Sequence, residues 1–171
     1  HDTLLHGQSY PSKARVDASR ICITGRSSGG LTVLCALIQY PDVFCAASSS
    51  YGISDLKSLS QHTHKYELHY ATTLLGGTYE DLPGVYKARS ALHHADKIRT
   101  PLLLLQGDQD RVVAPDQSRR MARAIESHAG KIKYIEFPSE GHGFRRSDTR
   151  QRALEEEFAW CNDAARIPEV C

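Results

Sequence analysis

Residues 21–34 read ICITGRSSGGLTVL, two apolar runs separated by a knot of Gly, Arg and Ser. The first run, Ile21–Thr24, has the composition of a short strand. The second, Leu31–Gln39, is apolar almost all round, as a buried helix is, and Pro41 stops it. A strand that turns into a helix through Gly25-Arg26-Ser27-Ser28-Gly29 fits the pattern G-x-S-x-G, with Ser27 at its centre. Such a turn strains the central residue, and glycines two positions away on either side, here Gly25 and Gly29, avoid clashes. It also presents the Ser27 hydroxyl at a helix N-terminus and turns the Ser28 backbone N–H toward a developing oxyanion.

The rest of the chain repeats this alternation. Phe44–Ser50 reads as a second strand, Pro101–Gln106 with its four leucines as a strand buried on both faces, and Lys133–Phe137 as another. Between them, Asp116 is placed to cap a helix carrying Met121, Ala124 and Ile125 on one side. Leu154, Phe158 and Cys161 mark the inner face of a final helix. The stretch Ser54–Arg99 is polar and His-rich, with weak helical patterning over Leu56–Leu59 and Leu68–Leu75, broken at Gly76-Gly77 and Pro83. Strand and helix in alternation predict a parallel α/β sheet, whose sites form beyond the carboxyl ends of the strands.

Three reactive side chains fall at such ends. Ser27 follows the first strand. Asp108 and Asp110 follow the leucine strand in GDQDRVV, and His142 follows the last in SEGHGF. An acid can orient a histidine that takes the proton of a serine hydroxyl, and the order Ser, Asp, His is that of α/β-hydrolases. Of the two aspartates Asp110 is chosen: it stands one turn beyond the strand, and Asp108 is placed to shape or cap the turn. His142, between two glycines, is expected in a mobile, exposed loop.

With these residues in view, RICITGRSSGGLTVL, PLLLLQGDQDRVVAPDQS and EFPSEGHGF, with YGISDL and RSALHHADKIRTP between them, resemble the C-terminal hydrolase domain of the prolyl oligopeptidase family, above all its dipeptidyl-aminopeptidase and acylaminoacyl-peptidase-like members. The resemblance runs from about Val16 to Ala165. It implies an α/β-hydrolase fold, here the C-terminal half of a mostly parallel sheet flanked by helices. It also implies a serine peptidase or esterase acting on a small molecule or short peptide, with Ser27 as nucleophile, Asp110 as acid, His142 as base and Ser28 N–H as one oxyanion donor. In the family, further strands, the loop giving the second oxyanion donor and a β-propeller accompany this region. Here residues 1–20 alone precede the elbow strand, and His1–Tyr10 shows none of the family's motifs. Residues 1–171 are therefore read as a single, partial catalytic domain with a divergent segment over 1–15. The sheet edge left open calls for a homodimer, a complementing chain, or His1–Arg20 folded over it. Two alternatives to a hydrolase accompany this reading: a catalytically weak or inert homologue working as a binding or assembly module, and a triad redirected to a non-hydrolytic step on a small metabolite.

Composition bounds the remainder. The 171 residues carry 21 Lys and Arg against 20 Asp and Glu, a formal charge of +1, without a basic stripe, so nucleic acid and anionic membranes are not expected partners. No run suits a membrane span or signal peptide, although a chain beginning with His1 is consistent with a fragment or processed piece. Cys22, Cys35, Cys45, Cys161 and Cys171 lack CxxC spacing and read as reduced core thiols, which suggests a cytoplasmic protein. His62, His64, His69, His93 and His94 lack the companions of a metal set, and neither metal nor cofactor is expected. GRSSGG lacks the Lys-Ser/Thr of a phosphate loop, and Arg145 and Arg146 read as a solvated face.

Overall fold

The computed structural model describes residues 17–62 and 72–165. Four strands, β1 (Cys22–Arg26), β2 (Ala46–Ser50), β3 (Leu102–Gly107) and β4 (Ile132–Phe137), form one sheet in sequence order. Every pairing is parallel, with Cys22 opposite Ala46, Ala47 opposite Leu102, and Leu102 opposite Ile132. The strands lie within two residues of their expected bounds. Parallel neighbours need crossovers, and the helices supply them. These are α1 (Ser28–Gln39), α2 (Leu56–His62), α3 (Pro83–Arg89), α4 (Pro115–Ser127) and α5 (Ser147–Ala165), with 3-10 turns at Ala18–Arg20 and Ala91–Lys97.

The four leucines of β3 show how the layers are built. Because side chains alternate along a strand, Leu102 and Leu104 face one layer, packed with Val33, Leu34 and Leu37 of α1 and with Met121 and Ile125 of α4. Leu103 and Leu105 face the other, with Phe137, Phe144 and Ala153 of α5. At about 25 cal/mol per Å² of apolar surface removed from water, this two-sided burial is the main stabilising term. A third cluster, Leu56, Leu59, Tyr86 and Val113, joins α2 and α3 to the carboxyl edge of the sheet.

Four expectations are corrected. Leu154 and Phe158 are not the inner face of α5: they are 57% and 74% exposed. The helix buries Thr149 and Ala153 and packs Trp160, a stripe one residue out of phase, and the Trp160 indole donates to Pro101 O at 3.4 Å. Asp116 does not cap α4. The cap position falls on Ala114 and Pro115 opens the helix, so Asp116 sits in the first turn, where its charge suits the helix dipole and meets Arg120 Nε at 3.9 Å. Pro83 likewise opens α3 rather than breaking a helix. The break at Gly76 is present, with φ 87°. The patterning over Leu68–Leu75 lies outside the described residues up to position 71; positions 72–75 are helical. His64, His69, Cys171, the segment 1–15 and most of His1–Arg20 also lie outside them. The thiols of Cys22, Cys35, Cys45 and Cys161 are free but only half-buried, so they border the core rather than fill it.

Candidate active site

The elbow forms as its sequence requires. Ser27 has φ 54° and ψ −120°, a conformation costing a non-glycine residue on the order of 1–3 kcal/mol. It is held there by its own N–H, which donates to Ser50 O at 3.0 Å. Gly25 is obligatory, since a Cβ there would stand 2.3 Å from Gly29 O. Gly29 is not: a Cβ at that position meets nothing within 4 Å. The close approach falls on Gly30, where a Cβ would stand 2.5 Å from Ser49 Oγ and 2.6 Å from Gly52 Cα, so the absent side chain lets α1 seat closely there. Ser28 begins α1, so its N–H has no acceptor within the helix and remains available beside the Ser27 hydroxyl.

Asp110, 4% exposed, lies in the turn beyond β3. Its Oδ1 accepts the N–H groups of Val112 and Val113, both at 2.9 Å, and its Oδ2 accepts Gln106 Nε2 at 3.1 Å and faces His142 Nδ1 at 2.8 Å. Burial alone would push this carboxyl up; the bonds from His142, Val113 and Val112 outweigh it and hold it below the ordinary carboxylate range. Asp108 stands outside this arrangement, exposed, its backbone N–H continuing the ladder to Phe137 O at 3.1 Å.

His142 completes the line: its Nε2 lies 2.9 Å from Ser27 Oγ. The loop carrying it is packed rather than loose, which corrects the expectation of an exposed, mobile imidazole. The ring is 23% exposed and meets Tyr51 edge-on at 4.7 Å, while Tyr51 in turn meets Phe144 at 5.1 Å. Glu140, 1% exposed, ties the loop to itself: its carboxylate accepts Arg145 N–H at 2.7 Å and Arg146 N–H at 3.0 Å. Desolvation would raise this carboxyl too, but those N–H groups and the Thr149 hydroxyl lower it. Positive φ at Ser139, Gly143 and Phe144 lets the loop turn this tightly. Arg146 pairs with Asp148 at 2.6 Å on the exposed surface, and Arg145 is exposed beside it.

Beside Ser27 opens a groove of about 940 Å³ lined by Leu31, Cys35 and Ile38 of α1, with Ile53, Leu56 and Val112 among the residues opposite. Arg89 and His94 also border it, and each bonds locally to a backbone carbonyl, Leu74 O at 3.3 Å and Ala88 O at 3.1 Å. The arrangement can take a proton from Ser27 Oγ onto His142, stabilise the resulting imidazolium by the Asp110 carboxylate, and seat an apolar group alongside. Gln106, Tyr51, Glu140 and Gly30 escaped the reading of the sequence. Gln106 and Glu140 had one visible signal: a polar residue ending an apolar run, and an acid beside the histidine motif.

The description "prolyl oligopeptidase family" fits residues 2–167. Among curated proteins, dipeptidyl peptidase family member 6 of Caenorhabditis elegans is 31% identical over 140 residues, 79% of this chain and 19% of that protein. Dipeptidyl aminopeptidase BIII of Pseudoxanthomonas mexicana is 30% identical over 156 residues, 88% of this chain and 23% of that one. A puromycin-hydrolyzing peptidase of Mycobacterium tuberculosis superposes with a TM-score of 0.88 at 41% identity, covering 96% of this chain and 25% of that one. The chain thus spans a quarter or less of the length of these relatives.

Proposed function

The chain belongs to the prolyl oligopeptidase family, and from that premise we propose that it is a serine hydrolase of ester and amide bonds working through Ser27, His142 and Asp110. The observation that carries this reading is the unbroken line from Asp110 Oδ2 to His142 Nδ1 (2.8 Å) and from His142 Nε2 to Ser27 Oγ (2.9 Å), ending on a serine held at positive φ. His142 Nε2 removes the hydroxyl proton as Ser27 Oγ attacks the substrate carbonyl. The oxygen that gains charge is met by Ser28 N–H at the start of α1. The imidazolium, steadied by Asp110, then protonates the leaving amine or alkoxide, and an acyl-enzyme remains. Water, deprotonated by the same imidazole, attacks the acyl carbon and releases the acid and free Ser27.

The groove supports one substrate class. Its apolar lining beside Ser27 suits an acyl group with a large apolar or aromatic side chain, as in a short peptide or an aminoacyl amide. The similarity to a puromycin-hydrolyzing peptidase points the same way. A fluorophosphonate probe tests the nucleophile: it labels the chain once, and Ser27→Ala abolishes the labelling. Steady hydrolysis of p-nitrophenyl acetate that is lost in His142→Ala completes the test. Equal labelling of Ser27→Ala overturns the assignment. Labelling without steady turnover supports instead a binding module.

A further inference from the structure

The two oxygens of Asp110 are held by different kinds of support. Oδ1 accepts two backbone N–H groups, from Val112 and Val113, which no substitution short of proline removes. Oδ2 faces His142 Nδ1, and the one other donor it meets among the described residues is the side-chain amide of Gln106 at 3.1 Å. Gln106 is completely buried at the end of β3, and its orientation is dictated by its surroundings. Nε2 stands within 3.3 Å of three oxygens, those of Asp110 Oδ2, Gly107 O and Val113 O, while Oε1 accepts the Ser118 hydroxyl of α4 at 2.8 Å. The reversed amide would set oxygen against three oxygens. The carboxamide therefore bridges the acid to α4 through a neutral group, which supports the carboxylate without adding a charge.

We infer that Gln106 is a positioning residue for this site: its amide fixes Asp110 Oδ2 on the axis of His142 Nδ1, so that the imidazole stays directed at Ser27. Its consequence for rate rests on the hydrolase reading; its geometry does not. Without Gln106, Oδ2 would be held by His142 alone, the group whose charge changes in every cycle.

The test uses the full chain and two variants. Gln106→Met keeps the length and removes the donor, while Gln106→His restores a ring N–H. Fluorophosphonate labelling of Ser27, measured well below the unfolding temperature of each variant, slows on the order of 10-fold in Gln106→Met, the low end of what one hydrogen bond to a charged group is worth. It recovers to within about threefold in Gln106→His, whatever the relative stability of the two variants. The carboxyl-carbon resonance of Asp110, assigned with Asp110→Asn, moves in Gln106→Met and returns toward its starting position in Gln106→His. An Asp110 resonance unmoved in Gln106→Met, or labelling that falls equally in both variants and follows their loss of stability, overturns the inference. If the parent chain is not labelled at all, the hydrolase reading is what fails, and the Asp110 resonance alone then decides the role of Gln106.

Discussion

β3 and β1 deliver two members of the same hydrogen-bond line from opposite situations. All six residues of β3 are buried, with a strand on each side, whereas β1 stands at the end of the sheet among the described residues and none of its own residues is buried. Asp110 inherits its position from the core behind it. Ser27 owes its position to local pins: its N–H on Ser50 O, the missing side chain of Gly25 under Gly29, and the close seat of α1 on β2 through Gly30. Precision at the carboxyl ends of the strands therefore does not require a buried strand beneath each residue. It requires that each turn be fixed by contacts of its own.

The sharpest way to break the comparison is chemical. Asp110→Asn leaves the core of β3 intact but offers an amide where a carboxylate is needed, so the imidazole is held in the wrong tautomer. Turnover of a p-nitrophenyl ester is expected to fall about 10⁴-fold, far more than the part of the fold's stability lost with the carboxylate would explain, since urea unfolding still shows a folded chain. Next comes the core itself. Leu103→Ala, which empties a fully buried site, costs about 2–5 kcal/mol in urea unfolding. The elbow follows: Gly25→Ala forces a methyl group against backbone and costs about 1–3 kcal/mol, with ester turnover reduced because Ser27 moves. Gly29→Ala, facing open space, stays within about 0.5 kcal/mol on the same assay.

Acid gives a smaller and more distributed effect. Asp110 and Glu140 are held below their ordinary values of 3.8 and 4.5 in the folded chain, so each stabilises the fold above those values. That contribution is lost as pH falls through the lower folded values. Urea midpoints are expected to decline from about pH 5 downward, and Glu140→Gln to flatten part of the decline. The smallest effect lies at the periphery: Leu154→Ala and Phe158→Ala, on the exposed side of α5, change stability by no more than about 0.5 kcal/mol.

The same contrast explains what could be read from the amino acids. Strands buried on both faces leave continuous apolar runs, so β3 stands out as PLLLLQ, and residues just beyond strand ends can be sought for chemistry; Ser27, Asp110 and His142 are legible for that reason. The face of α5 was not, because two apolar sets one residue apart, Ala153 with Trp160 and Leu154 with Phe158, both satisfy a helical period. The tightness of the His142 loop depends on Tyr51 at the end of β2, a contact invisible to local sequence. Gly29 and Gly30 look alike in a motif, and only the packing of Ser49 and Gly52 tells them apart. Gln106 could not be distinguished from a residue that merely ends a strand, since its value lies in three acceptors and one donor brought by four other positions.

Gly107, where the end of β3 passes beneath the histidine loop, joins the two situations. A Cβ there would stand 2.4 Å from Glu140 O, and the N–H of Gln109, two residues on, donates to that same oxygen at 2.9 Å. One methyl group at this crossing would lift the turn that leads to the acid and the loop that carries the base together, as a wedge opens a hinge. In a descendant of this chain, the alignment of Ser27, Asp110 and His142 would thus be lost through a residue that has no chemistry of its own. Such a descendant would still carry Ser27, Asp110 and His142 intact, and a survey of motifs alone would count it among the active.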